Sequence, residues 1–210
     1  MNIVGLVLIV GAYFVGNLDF AYIIVKSVRN EDIRNYGSGN AGTTNVLRTM
    51  GSKYALLVFI LDALKGSLVI GVTNYLVFTH GLNPYYIAAT GIAVVAGHNW
   101  PACLGFRGGK GTATSIGVYM VVHWEFCLIC LAIGIIILIV FKMVSLTSIL
   151  GISVSMILIL LTTGFIITPE LVLSFFLTVS TIYQHRENIK RILSGTESKI
   201  GQKIKMDNKK

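Results

Sequence analysis

Charge is scarce in this sequence: 12% of its 210 residues are Asp, Glu, Lys or Arg, against 54% hydrophobic residues. Soluble domains carry about twice that charged fraction, which excludes an ordinary soluble globular chain. Acid is scarcer still, with nine Asp and Glu in all. None of them clusters with His at ligand spacing, so neither a metal site nor a cofactor is expected. The three cysteines are Cys103, Cys127 and Cys130. The last two spell C-x-x-C inside an apolar run, without further ligands or an acidifying neighbour. They are expected to be small lipid- or helix-facing residues. No Lys or Arg precedes Lys26. A cleavable signal peptide begins with a basic region, so the first apolar stretch is expected to be a retained helix.

What is present is a series of apolar runs, at about 3–25, 54–79, 85–101, 112–122, 125–141, 144–163 and 168–184. A bilayer crossing takes about 20 helical residues. The net charge of +8 would suggest nucleic acid in a soluble protein. Here it reads as topology, because Lys and Arg accumulate in cytoplasmic loops, and no nucleic-acid partner is expected. With seven spans and the N-terminus outside, Lys26, Arg29, Arg34, Arg48, Lys53, Arg107, Lys110, Lys142 and the Lys and Arg residues of 186–210 all lie inside. The connections near 80–84, 123–125 and 164–167 contain neither. Fusing 112–141 into one span would send Lys142 and the basic tail outside. The expectation is therefore an all-α integral membrane protein, a bundle of seven transmembrane helices with a cytoplasmic C-terminus. It forms a single domain over 1–210, in which 185–210 is a basic cytoplasmic tail. Helix 112–122 is about 16 Å long and must tilt or sit in a thinned bilayer. Asp62 and Lys65, at i and i+3 in the second span, read as a structural ion pair. Asn17 and Asp19 lie near the inner end of the first span, where they could cap it or line a site.

Three polar, glycine-rich segments fall on the expected inner face: Ser38–Gly51, Gly97–Gly117 and His185–Lys203. In Gly105–Gly111 four glycines surround Arg107 and Lys110. Such a loop can aim successive N–H groups at one anion, and the helix start that follows adds a partial positive charge. A Walker A loop is excluded, since Leu104 stands where its first Gly belongs and Gly111 where its Ser/Thr belongs. In the first segment hydroxyls and amides interleave with Gly, and Arg48 offers a bidentate contact. In the third, His185 and Asn188 share a helix face. His98 and Asn99 lie at the same depth, and Lys142, Ser145 and Ser148 open the sixth span from inside. The rival class is an anion transporter, which would place its binding groups near the midplane of repeated halves. Here they gather at one face without an evident repeat.

Taken in order, SGN-AGTTNVLR, AGHNWPACLGFRGGKGTATSIG and HRENIKRILSGTESKIG resemble the bacterial acyl-phosphate:glycerol-3-phosphate acyltransferases of the PlsY type, over essentially the whole chain. The sequence departs from that pattern at Arg107, in place of a Lys, and at the bulky Trp100. The resemblance implies a seven-helix bundle in the cytoplasmic membrane with a cytoplasmic-face active site. It implies transfer of a fatty acyl group from acyl phosphate to the sn-1 hydroxyl of glycerol 3-phosphate, giving lysophosphatidate and phosphate. Spacing alone does not separate an acyl phosphate from an acyl thioester; the donor rests on the resemblance. Partners are then glycerol 3-phosphate, a fatty acyl phosphate and the lipid bilayer, with a soluble acyl-phosphate-producing enzyme as a further candidate. Candidate catalytic residues are Ser38, His98, Asn99, Lys110 and His185. Candidate substrate-binding residues are Asn40, Gly42, Thr43, Thr44, Asn45, Arg48, Gly108, Gly109, Gly111, Thr112, Ser148 and Asn188. Lys110, Ser38, Asn40, Thr43, Thr44 and the glycine backbones would hold the donor phosphate or the developing oxyanion. Arg48, His185, Asn188 and Ser148 would hold the acceptor, and His98 and Asn99 would shape the centre. The hydroxyl proton goes either to the departing phosphate or to His185. No Ser or Cys has a base partner, so direct transfer without an acyl-enzyme is expected.

Overall fold

A computed structural model describes residues 3–202, which form helices and no strands. The lysines expected in the basic tail at 203, 205, 209 and 210 lie outside the described residues. The α-helices are α1 (Ile3–Gly16), α2 (Phe20–Arg29), α3 (Thr43–Met50), α4 (Ser52–His80), α5 (Tyr85–Asn99), α6 (Thr112–Val122), α7 (Trp124–Phe141), α8 (Val144–Thr162), α9 (Pro169–Gln184) and α10 (Arg186–Leu193). Five segments are long and apolar enough to cross a membrane: Ile3–Arg29, Ser52–His80, Tyr85–Leu104, Trp124–Phe141 and Val144–Thr162. Helix α6 is apolar but shorter, and α9 has 16 residues.

The first apolar stretch is not the single helix expected. It breaks at Asn17–Asp19, because the polar side chains there compete for backbone groups. Asn17 donates to the Tyr13 carbonyl at 2.7 Å, and the Asp19 carboxylate caps α2 by accepting the Tyr22 N–H at 2.9 Å. Helix α2 follows the break and buries Ala21 and Val25. By contrast, the break expected near 123–125 is present: α6 ends at Val122 and α7 starts at Trp124.

Helix α5 is the axis. Ala88, Thr90, Gly91, Ala93, Val94, Val95, Gly97, His98 and Asn99 are all buried along it, against α1, α4 and α9. Lipid offers apolar side chains as good an environment as protein does, so association of these helices depends on close backbone approach. The α4–α6 crossing uses it fully: a Cβ on Gly66 would meet the Thr114 carbonyl oxygen at 2.4 Å, and one on Gly117 the Ala63 oxygen at 1.8 Å. Helix α7 buries only Cys127 and Gly134. Leu128, Ile129, Ile135, Ile136, Ile139, Val140 and Phe141 leave a greasy exposed face, as lipid contact requires. Cys127 is buried and Cys130 half-buried, in keeping with their expected packing role.

The connections sort into two ends. At one, the Arg34 guanidinium donates to the Leu104 and Arg107 carbonyls at 2.7 and 3.2 Å, and the Ile200 N–H to the Lys142 carbonyl at 2.7 Å. At the other, the Tyr85 hydroxyl reaches the Ile167 carbonyl at 3.3 Å. All three glycine-rich segments meet at the first end.

Candidate active site

A cavity of about 290 Å³ opens at that end, between the starts of α3 and α6, the inner end of α8 and the junction of α9 with α10. Ser38, Asn40, Gly42, Thr43, Thr44, Asn45, Arg48, His98, Lys110, Gly111, Thr112, Ser148, His185 and Asn188 line it. Of the residues expected in the site, Asn99, Gly108 and Gly109 do not.

The reason lies in the backbone. The Gly108 N–H donates to the Asn99 carbonyl at 3.3 Å, and the Gly109 N–H to the His98 carbonyl at 3.1 Å. Those two amides, expected to face an anion, are committed to the chain itself. The glycines serve close approach instead: a Cβ on Gly108 would lie 2.1 Å from the His98 carbonyl oxygen. Asn99 stands behind the loop, its amide donating to the Ser180 hydroxyl at 2.9 Å. Asn45 also changes role. Its Nδ2 donates to the Ile33, Tyr36 and Asn40 carbonyls, and its Oδ1 accepts the Ser38 N–H at 3.1 Å. With donors and acceptor committed, the Asn45 side chain holds the first loop rather than a substrate. Ser148 donates to the Val144 carbonyl at 2.9 Å, leaving its oxygen to accept.

What remains facing the cavity is strongly anion-seeking. Helices α3 and α6 both start there, and neither has a side-chain cap, so their first N–H groups are available to an anion. Arg48 is half-buried, and burial lowers the pKa of its guanidinium. Lys110 bonds the Asn188 oxygen, and burial pulls its ammonium down to about 8. Burial first, and then the Lys110 charge, push the His185 imidazole down to about 4. Its Nδ1 lies 2.8 Å from the Thr181 carbonyl. A carbonyl only accepts, so Nδ1 carries the proton and Nε2 an open lone pair.

One residue of this site was not anticipated. Glu197 follows α10 on a short return, its side chain 2% exposed. It accepts from Ser145 at 2.7 Å, from Asn188 at 2.6 Å and from Arg191 at 2.8 Å. Burial raises its pKa, but those hydrogen bonds and the Arg191 charge outweigh it and hold the carboxyl below its usual range. Glu197 thereby fixes the Asn188 amide so that its oxygen faces Lys110. The signal available in sequence was an acid among the basic residues of the third segment. The cavity's second half was equally unforeseen. It runs between α6, α7 and α8 along Ile116, Leu131, Ile135, Leu138 and Ile152, an apolar wall continuous with the anion site.

The chain is similar to known proteins over nearly its whole length. The model of the glycerol-3-phosphate acyltransferase family matches residues 6–195. A glycerol-3-phosphate acyltransferase of Clostridioides difficile (strain 630) is 45% identical over 201 residues, covering 94% of this chain and 96% of that protein. One from Thermoanaerobacter sp. (strain X514) is 50% identical over 196 residues, covering 93% and 95%. The crystal structure of PlsY (YgiH), an integral membrane glycerol 3-phosphate acyltransferase, in its glycerol 3-phosphate form superposes with a TM-score of 0.85 at 38% identity, covering 94% of this chain and 96% of that one. Its lysophosphatidic acid form gives 0.82 at 36%. Family model, relatives and solved structures span nearly the full length of the protein, and the chain belongs to the glycerol-3-phosphate acyltransferase family.

Proposed function

We propose that this acyltransferase moves a fatty acyl group from an acyl phosphate to the sn-1 hydroxyl of glycerol 3-phosphate, releasing lysophosphatidate and phosphate. The observation that carries the reading is the two-part cavity. Its polar half offers Lys110, Arg48 and two uncapped helix starts, enough for two phosphates. Its apolar half leads toward the exposed faces of α7 and α8, where an acyl chain would lie. The hydroxyl oxygen attacks the acyl carbonyl carbon, and the carbon–oxygen bond to phosphate breaks with its electron pair on the phosphate. A mixed anhydride needs little covalent help, so positioning and charge suffice. Lys110, with Ser38, Asn40 and the Thr43 and Thr44 end of α3, takes the donor phosphate. Arg48, His185, Asn188 and the Ser148 oxygen take the acceptor.

The departing phosphate favours itself as proton acceptor. A phosphate monoester's second pKa is about 6, whereas the His185 imidazole sits near 4 and is the weaker base. His185 Nε2 then orients the attacking hydroxyl as a hydrogen-bond acceptor. The bundle is read with seven spans (α1, α4, α5, α6, α7, α8 and α9), the N-terminus outside and the cavity at the cytoplasmic face. The Lys- and Arg-free connections at the opposite end support that orientation. A soluble donor-producing enzyme remains the proposed supplier of acyl phosphate.

The test is acyl transfer by purified protein to labelled glycerol 3-phosphate, with palmitoyl phosphate, palmitoyl-CoA and palmitoyl-carrier protein offered separately. Labelled lysophosphatidate is expected from the acyl phosphate alone. Product from a thioester alone overturns the donor assignment.

A further inference from the structure

A buried charged group is built into the inner wall of the cavity, with Asp62 and His98 on its lining and Lys65 between them and α1, and the transfer reaction does not account for the ion pair. Asp62 and Lys65 are one turn apart on α4, their side chains 1% and 3% exposed and 2.7 Å from each other. The Lys65 ammonium donates to the carbonyls of Leu18 at 2.7 Å and Gly16 at 3.2 Å, which α1 leaves free where it breaks. It also lies 2.9 Å from Nδ1 of His98. A charged Lys only donates, so Nδ1 offers its lone pair and the ring proton sits on Nε2. Asp62 is nearer the ammonium than the imidazole, at 2.7 against 3.5 Å. It pairs Lys65 where an unpaired cation would be costly.

The far edge of the His98 ring meets Gly109. A Cβ there would lie 2.1 Å from Nε2 and 2.6 Å from the Ala41 carbonyl oxygen. The imidazole is therefore seated at the joint of two loops: Ala41 leads into the start of α3, and Gly109 into Lys110. We propose that Lys65 is a positioning residue of the acyl-transfer site. Paired with Asp62, it holds His98 as the Nε2–H tautomer against Gly109, and so fixes Lys110 relative to the start of α3. The proposal rests on the acyl-transfer reading above.

Two measurements test it. Nitrogen NMR of histidine-labelled protein in micelles, with His98 assigned by His98→Gln, should show an unprotonated, hydrogen-bonded Nδ1 and a protonated Nε2. A protonated Nδ1 overturns the proposal, even if every variant fails to fold and whether or not acyl transfer is found. In kinetics, Lys65→Met should lower kcat on the order of 100-fold, the cost of a small misplacement of reacting groups. The glycerol 3-phosphate KM should hold within about threefold, and Lys65→Arg should recover most of the rate. The charge-balanced Asp62→Asn/Lys65→Met pair should stay slow, because the donor to Nδ1 is still missing. Full recovery in that pair would reduce Lys65 to charge compensation, and an unchanged kcat in folded Lys65→Met would remove the positioning role. Lack of transfer by the unmutated protein would instead sink the functional reading.

Discussion

Lys110 is the residue on which the proposed anion site turns, and its depressed pKa makes it testable by pH. The kcat/KM profile reports the free enzyme. A group needed in its protonated form gives a plateau below its pKa and a fall above it. With the ammonium at about 8, kcat/KM should drop roughly tenfold per unit above that point. Lys110→Arg, which stays charged, should move or abolish that limb while keeping measurable activity; an unmoved limb would assign it elsewhere. Glu197 gives a stability prediction. Glu197→Ala leaves the Ser145 hydroxyl and the Asn188 amide without their acceptor, and each hydrogen bond to a charged group contributes about 1.5–3 kcal/mol. Thermal unfolding in detergent should fall accordingly, and transfer should weaken as the Asn188 amide loses its orientation. Lys110 and Arg48 were legible in sequence, because cations beside glycines and hydroxyls have few other uses at a membrane face, and His185 because it shares a helix face with Asn188. Glu197 was not: an acid in a basic tail looks like solvated charge until the fold buries it.

At the scale of helices, the α4–α6 crossing has the least slack. With Cβ positions 1.8 and 2.4 Å from the facing carbonyls, Gly117→Ala or Gly66→Ala must separate the two backbones. Overpacking of this kind costs about 1–3 kcal/mol and sometimes more. Gly11→Ala and Gly71→Ala, where an added Cβ meets nothing within 4 Å, should be neutral or slightly stabilising. Melting temperatures of the four variants in one detergent check the contrast, and equal shifts would refute it. Apolar run length foretold α4, α5, α7 and α8, since each is long enough to be read from composition. The break in the first stretch was obscured because the two polar residues at Asn17 and Asp19 fit equally well inside a helix end. Only the Asp19 cap on Tyr22 shows which competing hydrogen bond wins. For the same reason the close contacts of Gly108 and Gly109 could not be told from anion-facing amides: both need glycine.

For the whole molecule, the orientation in the bilayer has a direct test. In a background lacking Cys103, Cys127 and Cys130, single cysteines at Asn83 and Asn30 lie in connections at opposite ends of the bundle. A membrane-impermeant maleimide added to intact cells should label Asn83→Cys and spare Asn30→Cys; the reverse pattern would invert the proposed topology. The gathering of three distant segments at one end was foreseeable from charge alone. The apolar half of the cavity was not, because a residue facing an apolar cavity and one facing lipid have the same sequence signature. The chain order of the site also has a consequence in time. Ser38–Arg48 leave the ribosome early, whereas His185, Asn188 and Glu197 leave only after the helices of the bundle have been made, and the Ile200–Lys142 tie later still. A chain ending before that stretch carries Lys110 and Arg48 without His185, Asn188 and Glu197, so the cavity wall is complete only once that stretch is in place.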